Sequence, residues 1–472
     1  MRAIVIGFIF LILVQADLLC GALNSVKVDK NQYKEVEKPK GIKILKKRGS
    51  YTLASMFRDN GEIQWAKKFD IVELGGVDDI HITYQMLKNR GVFGIKHHIG
   101  YDWMPAFYYY TSGKNRNFVD WLYKYKEKAT LNPNGPFLHC EENGYDWCRD
   151  YYYNFGDKKV FNKRVDTLIE DMKKRGFNGL FFDWASGRFL LSKEYLNLKK
   201  YFEKLNPKKN YFETIGKFYK TLKDRGVFVV TNQAFRKEKY LLKYVTYDMT
   251  ESYITTDAKK KIKIQIAGKG WVDTIRVTNY YPIYKNSKTL KDSLHFIDLL
   301  TGYKEKYKKY GFKNFIFLNY LAPIYERVYD SALLYREKKP KNAIYFGYAM
   351  AKLTNNIVYG EISNNRDLER DDIYFYNLGK PLGKNYKKLK NLNVYIRFYT
   401  KGFVLASAAY KDDKYLKLIS NFIPTNRYTY DTYNDIWLQT KDSSITIKLD
   451  FKKDNFSHKF LPTGRVYLYN QN

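Results

Sequence analysis

The sequence predicts an α/β protein: a (β/α)8 barrel followed by an antiparallel β domain. Three observations carry this. Short apolar runs alternate with amphipathic helical stretches over roughly 300 residues, the pattern of parallel strands with crossover helices. Three helix-to-strand joints share one local design, with a charged last turn, then Gly, then an apolar run; they close at Gly91, Gly176 and Gly226. Glycine relieves the left-handed position that ends a helix, and the cations suit the helix C-terminus. After about Arg370 the helical period fades and short alternating strands take over. An open doubly wound sheet is the alternative for the first part. No G-x-G-x-x-G or P-loop follows any strand, which argues against a nucleotide-binding fold.

The first strand is expected at Phe69 to Leu74, before Gly75 and Gly76, with a helix from about Asp79 to Arg90. The second is expected at Val92 to His98. A Tyr-rich loop, Tyr101 to Gly113, leads to a helix near Asn117 to Ala129, and a short third strand spans Pro136 to Cys140. The fourth organises the chain. Leu180, Phe181 and Phe182 form the apolar run of a strand buried on both faces, after a helix from about Lys158 to Arg175, and the strand ends in Asp183. The fifth is Val227 to Thr231, after a helix near Phe212 to Arg225, and the sixth is Tyr244 to Glu251. An insertion at Lys259 to Lys285 alternates like a hairpin, with Ile262, Ile264 and Ile266 on one face. A helix from about Ser287 to Tyr310 precedes the seventh strand, Phe315 to Leu318. A helix near Asn342 to Leu353 precedes the eighth, Ile357 to Tyr359. The β domain is expected to contain Val394–Phe398, Phe403–Ala406, Tyr415–Ile419, Ser444–Leu449 and Arg465–Tyr469.

With 472 residues the chain exceeds one ordinary core, which suits a large domain plus a smaller one. It is 45% hydrophobic, with 46 Tyr and 31 Phe, enough to bury a sizeable core and to exclude wholesale disorder. The net charge of +34 has two readings. One is an anionic partner: nucleic acid, an acidic glycan or a membrane surface. The plainer one is compositional bias, since Lys, Asn, Tyr, Ile and Phe are all heavily used and the lysines are spread along the chain. The absence of a clustered Lys/Arg tract speaks against specific nucleic-acid binding.

The N-terminus places Arg2 before an apolar run, Ala3 to Val14, and then Gln15-Ala16, the layout of a secretory signal. Cleavage after Ala16 or Ala22 fits, and an uncleaved anchor stays open. The residues before Cys20 make a poor lipobox. The expected location is therefore secreted, periplasmic or at the cell surface, with membrane contact only through an uncleaved signal. The expected divisions are a signal peptide (1–22), a linker (23–47), the barrel (48–368) and the β domain (369–472). Cys140 and Cys148 could form one disulfide in an exported protein or remain two buried thiols.

The expected strand tips carry Glu73; His97 and His98; His139 with Glu141; Asp183; Asn232; Glu251; Asn319; and Glu361. In a barrel these tips converge on one face. Carboxylates, amides and imidazoles set among Tyr101, Trp103 and Trp184 make a sugar site: aromatic faces stack on pyranose rings, and polar groups bind hydroxyls. Two carboxylates would flank the scissile bond, one as acid and one as nucleophile or base. Asp183 and Glu251 are the chosen pair, two strands apart; both retaining and inverting geometries fit. Asp248 is the rival, but its offset of three from Glu251 puts it on the opposite strand face. His97 and His98 could be metal ligands with His139 and Glu141, but no H-E-x-x-H or comparable ligand spacing occurs, so neither metal nor other cofactor is expected; a G-x-S-x-G nucleophile elbow is also absent. The alternative is a glycan-binding barrel without hydrolysis.

The joint Arg175-Gly-Phe-Asn-Gly-Leu-Phe-Phe-Asp-Trp184 resembles the "G-x-D-G-x-F-x-D" strand of bacterial glycoside hydrolase barrels related to α-galactosidases and endo-polygalactosaminidases. Thr250-Glu251-Ser252, downstream of Thr231-Asn-Gln233, is similar to their N-x … E-S arrangement. Tyr374 to Gly383, then Val394 to Val404, looks like their junction with a β domain. The resemblance runs roughly from Phe69 to Leu405. It implies a secreted or surface glycosidase-like barrel, with Asp183 as nucleophile and Glu251 as acid/base. The expected partner is a carbohydrate polymer, with anionic and amino-sugar exopolymers among the candidates. Asn178 departs from the pattern, standing where an Asp is usual, and the loops are unusually rich in Lys and Tyr.

Overall fold

A computed structural model of the protein describes residues 23–44, 46–54, 56, 60–77, 79, 81–103, 108–109, 137–138, 149–151, 154–183, 185, 192–234, 240–251, 256–266, 270–280, 314–320, 341–354, 357–362, 372–383, 386–389, 392–451 and 462–470. The signal segment, the helices expected near 117–129 and 287–310, Cys140 and Cys148 lie outside them. Among the described residues no helix is long and apolar enough to cross a membrane.

Eight parallel strands form one sheet: β1 (Gly49–Leu53), β2 (Phe69–Gly76), β3 (His97–Trp103), β4 (Gly179–Asp183), β5 (Phe228–Asn232), β6 (Tyr247–Glu251), β7 (Asn314–Tyr320) and β8 (Ile357–Ile362). Each pairs with the next in sequence, and β8 returns alongside β1, so the sheet is a nearly closed barrel. Gly360 marks the closure. A Cβ there would lie 2.6 Å from the Tyr51 ring, so only glycine lets the two strands meet. The described helices are α1 (Asn60–Ala66), α2 (Tyr84–Asn89), α3 (Lys158–Arg175), α4 (Ser192–Leu205), α5 (Tyr211–Asp224) and α6 (Lys341–Lys352).

The expected (β/α)8 fold is present, with two changes in strand assignment. Gly49–Leu53, unassigned from the sequence, is the first barrel strand. Phe137-Leu138, expected as the third, instead pairs antiparallel with Arg149–Tyr151 in a small separate sheet. The run starting at Val92 opens with a 3-10 turn (Val92–Gly94), and the strand proper begins only at His97. The insertion is a long hairpin, Thr256–Ile266 against Gly270–Tyr280. The stretch expected as a linker is not free. Asn24–Lys27 adds an edge strand beside Lys414–Ile419.

Side chains alternate between two cores. Tyr51, Ile71, Ile99, Phe181, Val230, Met249, Ile316 and Leu318 fill the barrel interior. Leu180 and Phe182 join a larger outer core with the helices. Phe182 meets Phe218 and Tyr219 of α5 at ring distances of 5.9 and 5.4 Å. Burying such side chains stabilises the fold by about 1.5–3 kcal/mol each. The helices begin and end as their sequences require. Asp157 caps α3 by accepting from the N–H groups of Lys159 (2.8 Å) and Val160 (3.1 Å). Gly176 ends it at φ 87, with its N–H on the carbonyls of Met172 and Lys173.

The C-terminal domain stacks a six-stranded antiparallel sheet on a three-stranded one, over a shared apolar core. All five strands expected there are present, and Tyr428–Asp431 and Ile436–Gln439 are additional. α6 joins the domains. Tyr345 donates its hydroxyl to the Thr432 carbonyl (2.8 Å), and Tyr399 donates to the carbonyl of Lys352.

Asp102 on the outer side of β3 forms a buried ion pair with Arg164 of α3, at 2.7 Å. Removing one partner of such a pair strands a desolvated charge. The variant Asp102→Ala is therefore expected to lose about 3–5 kcal/mol of unfolding free energy. Urea denaturation measures this; a midpoint equal to that of the parent would contradict the role given to the pair.

Candidate active site

The inner face of β4 presents Phe181 and then Asp183 at the strand's C-terminal end. Asp183 is half-buried, and two neighbouring strands hold its carboxylate. Tyr101 on β3 donates its hydroxyl to Oδ2 at 2.9 Å. Asn232, the last residue of β5, donates Nδ2–H to Oδ1 at 2.8 Å. The Tyr101 ring stacks on Phe181 at 5.7 Å. Burial, then the Asp183 charge and its hydrogen bond, push the Tyr101 phenol far above its ordinary range, so it remains a donor. The sequence places Asp183 and Asn232 at adjacent tips, and the structure joins them directly. Tyr101, expected in a loop, is instead an inward residue of β3, because that strand runs on to Trp103.

Glu73 is not at a strand tip. β2 extends through Gly75 and Gly76 with a shift in register, so Glu73 sits within the barrel, 6% exposed. There it accepts from the Tyr51 hydroxyl at 2.9 Å. Tyr51 had no counterpart among the sequence-derived candidates. Its signal was the alternation Gly49 to Leu53, a run too short to separate from the charged stretch before it.

His97 and His98 are corrections. Because β3 starts at His97, both histidines lie at the strand's N-terminal end, opposite the end that carries Asp183. His97 stacks on Phe228, the first residue of β5, at 3.7 Å between centroids. Both ring nitrogens of His98 face backbone carbonyls, of Ile95 at 3.1 Å and Gly176 at 2.9 Å. Asn178 belongs to that same end. It accepts from the His98 N–H at 3.0 Å and donates to the Lys96 carbonyl at 2.9 Å. An Asp could make only the first bond, which accounts for the amide at this position.

Glu251 ends β6, and β5 alone separates that strand from β4. Its backbone is in register with Leu318, and strand alternation gives position 251 the face of Tyr247 and Met249. Asp248 lies on the other face, fully buried, so positions 248 and 251 fall on opposite faces of the strand. Asn319 and Glu361 occupy paired positions on β7 and β8. By alternation these positions share the face of Phe317 and Tyr359, which pack in the outer core. The side chains of Glu251, Asn319, Glu361 and Trp103, and all of His139, Glu141 and Trp184, lie outside the described residues. Among the described residues no cluster of three His, Cys, Asp or Glu is arranged to hold a metal ion.

No protein-family profile matches this chain, and no curated protein is similar to it. Several solved structures are similar. One is the glycoside hydrolase domain of PelA from Pseudomonas aeruginosa, at 13% identity and a TM-score of 0.35, over 68% of this chain and 96% of that one. Another is an Anoxybacillus alpha-amylase, at 9% identity and 0.47, over 90% and 98%. A third is the GH36 alpha-galactosidase AgaA of Geobacillus stearothermophilus, at 9% and 0.44, over 90% of this chain and 56% of that one.

His97 yields a pH prediction. Burial first, then the charge of Lys96, hold its pKa below the ordinary value, so folding disfavours the imidazolium. The unfolded chain then binds the proton more readily. The corresponding stability is present above about pH 6.5 and is lost as the pH falls below it. In His97→Phe, which keeps a ring against Phe228, the fall in urea midpoint between pH 7.5 and 5 is expected to be smaller than in the parent. An equal fall in both proteins would contradict this.

Proposed function

We propose that this protein is a glycoside hydrolase that cleaves a carbohydrate polymer with Asp183 and Glu251. The observation that carries the reading is the tethering of Asp183. A carboxylate on the inner face of a barrel strand, at its C-terminal end, takes one donor from each neighbouring strand and stays accessible. Two hydrogen bonds from neutral donors, Tyr101 and Asn232, hold this carboxylate in a fixed orientation. Glu251 stands two strands away, on the inner-face repeat of β6.

In this scheme Glu251 protonates the departing glycosidic oxygen. Asp183 either attacks the anomeric carbon, giving a glycosyl-enzyme that water later opens, or activates a water for direct displacement. The Tyr101 hydroxyl and the Asn232 amide keep the Asp183 carboxylate aimed while charge moves. Aromatic residues at the barrel mouth supply stacking faces for pyranose rings, and the chemistry calls for no cofactor. The signal-like N-terminus suits an exported enzyme meeting its polymer outside the cell or in the periplasm. The excess of lysine favours polymers with anionic groups through long-range attraction, and amino-sugar polymers form the other class to be tried.

A panel of neutral, anionic and amino-sugar polysaccharides, scored for both binding and released sugar, tests the proposal. Asp183→Asn and Glu251→Gln are each expected to reduce release by about 100- to 10,000-fold while binding persists. Release at the parental rate by both variants would reject the assignment. Binding without release by the parent would make the barrel a lectin.

A further inference from the structure

Asp248 is a fully buried carboxylate on the outer side of β6. Its Oδ1 accepts two hydrogen bonds from the end of β5: one from the Thr231 hydroxyl at 2.7 Å and one from the Ala234 N–H at 2.8 Å. These donors bracket Asn232 and Gln233. Gln233 has φ 58, a left-handed conformation that is strained for a residue with a side chain and persists only where its surroundings impose it. Its N–H donates to the Met249 carbonyl at 2.8 Å. The β5 chain is thus pinned on both sides of a strained turn by β6, with Asp248 as the only side chain of β6 in that set among the described contacts. Asn232 leaves the opposite face of the same turn and reaches Asp183.

We propose that Asp248 is a positioning residue for Asp183, acting through the turn at the end of β5. The acid keeps the Thr231–Ala234 turn closed, the closed turn forces Gln233 into its left-handed state, and that state aims the Asn232 amide at the Asp183 carboxylate. An apolar residue at 248 would fill the space without the two acceptor contacts, leaving the turn free to relax and the amide to drift. A misplacement of about 1 Å at such a distance from the reaction can cost about 100-fold in rate. Asp248 touches no reacting atom here. Its contribution to catalysis rests on the hydrolase reading above, whereas its contribution to the Asn232–Asp183 contact does not.

The test reads that contact directly. In full-length protein labelled with 15N-asparagine, the Asn232 side-chain amide is assigned by its loss in Asn232→Asp. Asp248→Ala is expected to move that resonance pair in the direction produced by Asp183→Ala. Asp248→Asn, whose carbonyl oxygen can still accept both bonds, is expected to leave it near the parental position. Thr231→Val, which deletes one donor at constant shape, is expected to give a smaller shift of the same sign, and it carries the test if Asp248→Ala does not fold. On a cleaved polymer, kcat is expected to fall about 100-fold in Asp248→Ala with KM nearly unchanged. An unmoved Asn232 amide in both Asp248→Ala and Thr231→Val overturns the proposal. A parent that releases no sugar overturns the hydrolase reading and leaves the amide result standing.

Discussion

The parallel pairing of β4 between β3 and β5 is the constraint on which the candidate site depends. Parallel strands present all their C-terminal ends on one side of the barrel, and side-chain alternation decides which residues face inward. With Tyr101 beside Phe181, and Phe182 beside Thr231, the next inward positions are Asp183 and Asn232. The hydrogen bonds from Tyr101 and Asn232 to Asp183 then follow from register. A slip of one residue would turn Asp183 toward the helices and bring Phe182 into the barrel.

The outer face of the same strands holds that register in place. Asp102 follows Tyr101 in β3 and ties the strand to α3 through Arg164, while Asp248 precedes Met249 in β6 and ties that strand to the end of β5. Tyr219 of α5 donates to the Ala185 carbonyl at 2.7 Å, just beyond Asp183. Polar groups facing inward orient one another at the mouth, and their outward neighbours fix the backbones that carry them. Two carboxylates, Asp102 and Asp248, are fully or almost fully buried in that supporting layer, where each is matched by donors.

Much of this was legible in the sequence because it is local. Apolar runs of strand length, a cationic last turn and a closing glycine define units that need no long-range information, and Gly91, Gly176 and Gly226 all adopt the expected left-handed backbone. The β domain was legible from its alternation. Failures arose where local patterns were degenerate. The apolar run at Val92 contains a 3-10 turn, so the strand begins five residues later than its hydrophobicity suggests, and His97 and His98 exchange the mouth of the barrel for its floor. Pro136 to Cys140 has a strand's composition, but composition does not say which sheet a strand joins. Glu73 was misplaced because Gly75 and Gly76, which read as a terminator, continue β2. Tyr51 went unnoticed, and the partners of Tyr101 and Asp248, both singled out in the sequence, were not legible there: those partners lie more than twenty residues away or on the next strand, and only register reveals them.

The most direct measurement of the central claim is a crystal structure of the Asp183→Asn variant holding a fragment of a polymer that the parent cleaves. The account predicts the anomeric carbon between positions 183 and 251, with their side-chain termini about 5–9.5 Å apart across it. A fragment bound elsewhere on the molecule, or a Glu251 carboxyl turned to the helix side of β6, would contradict it.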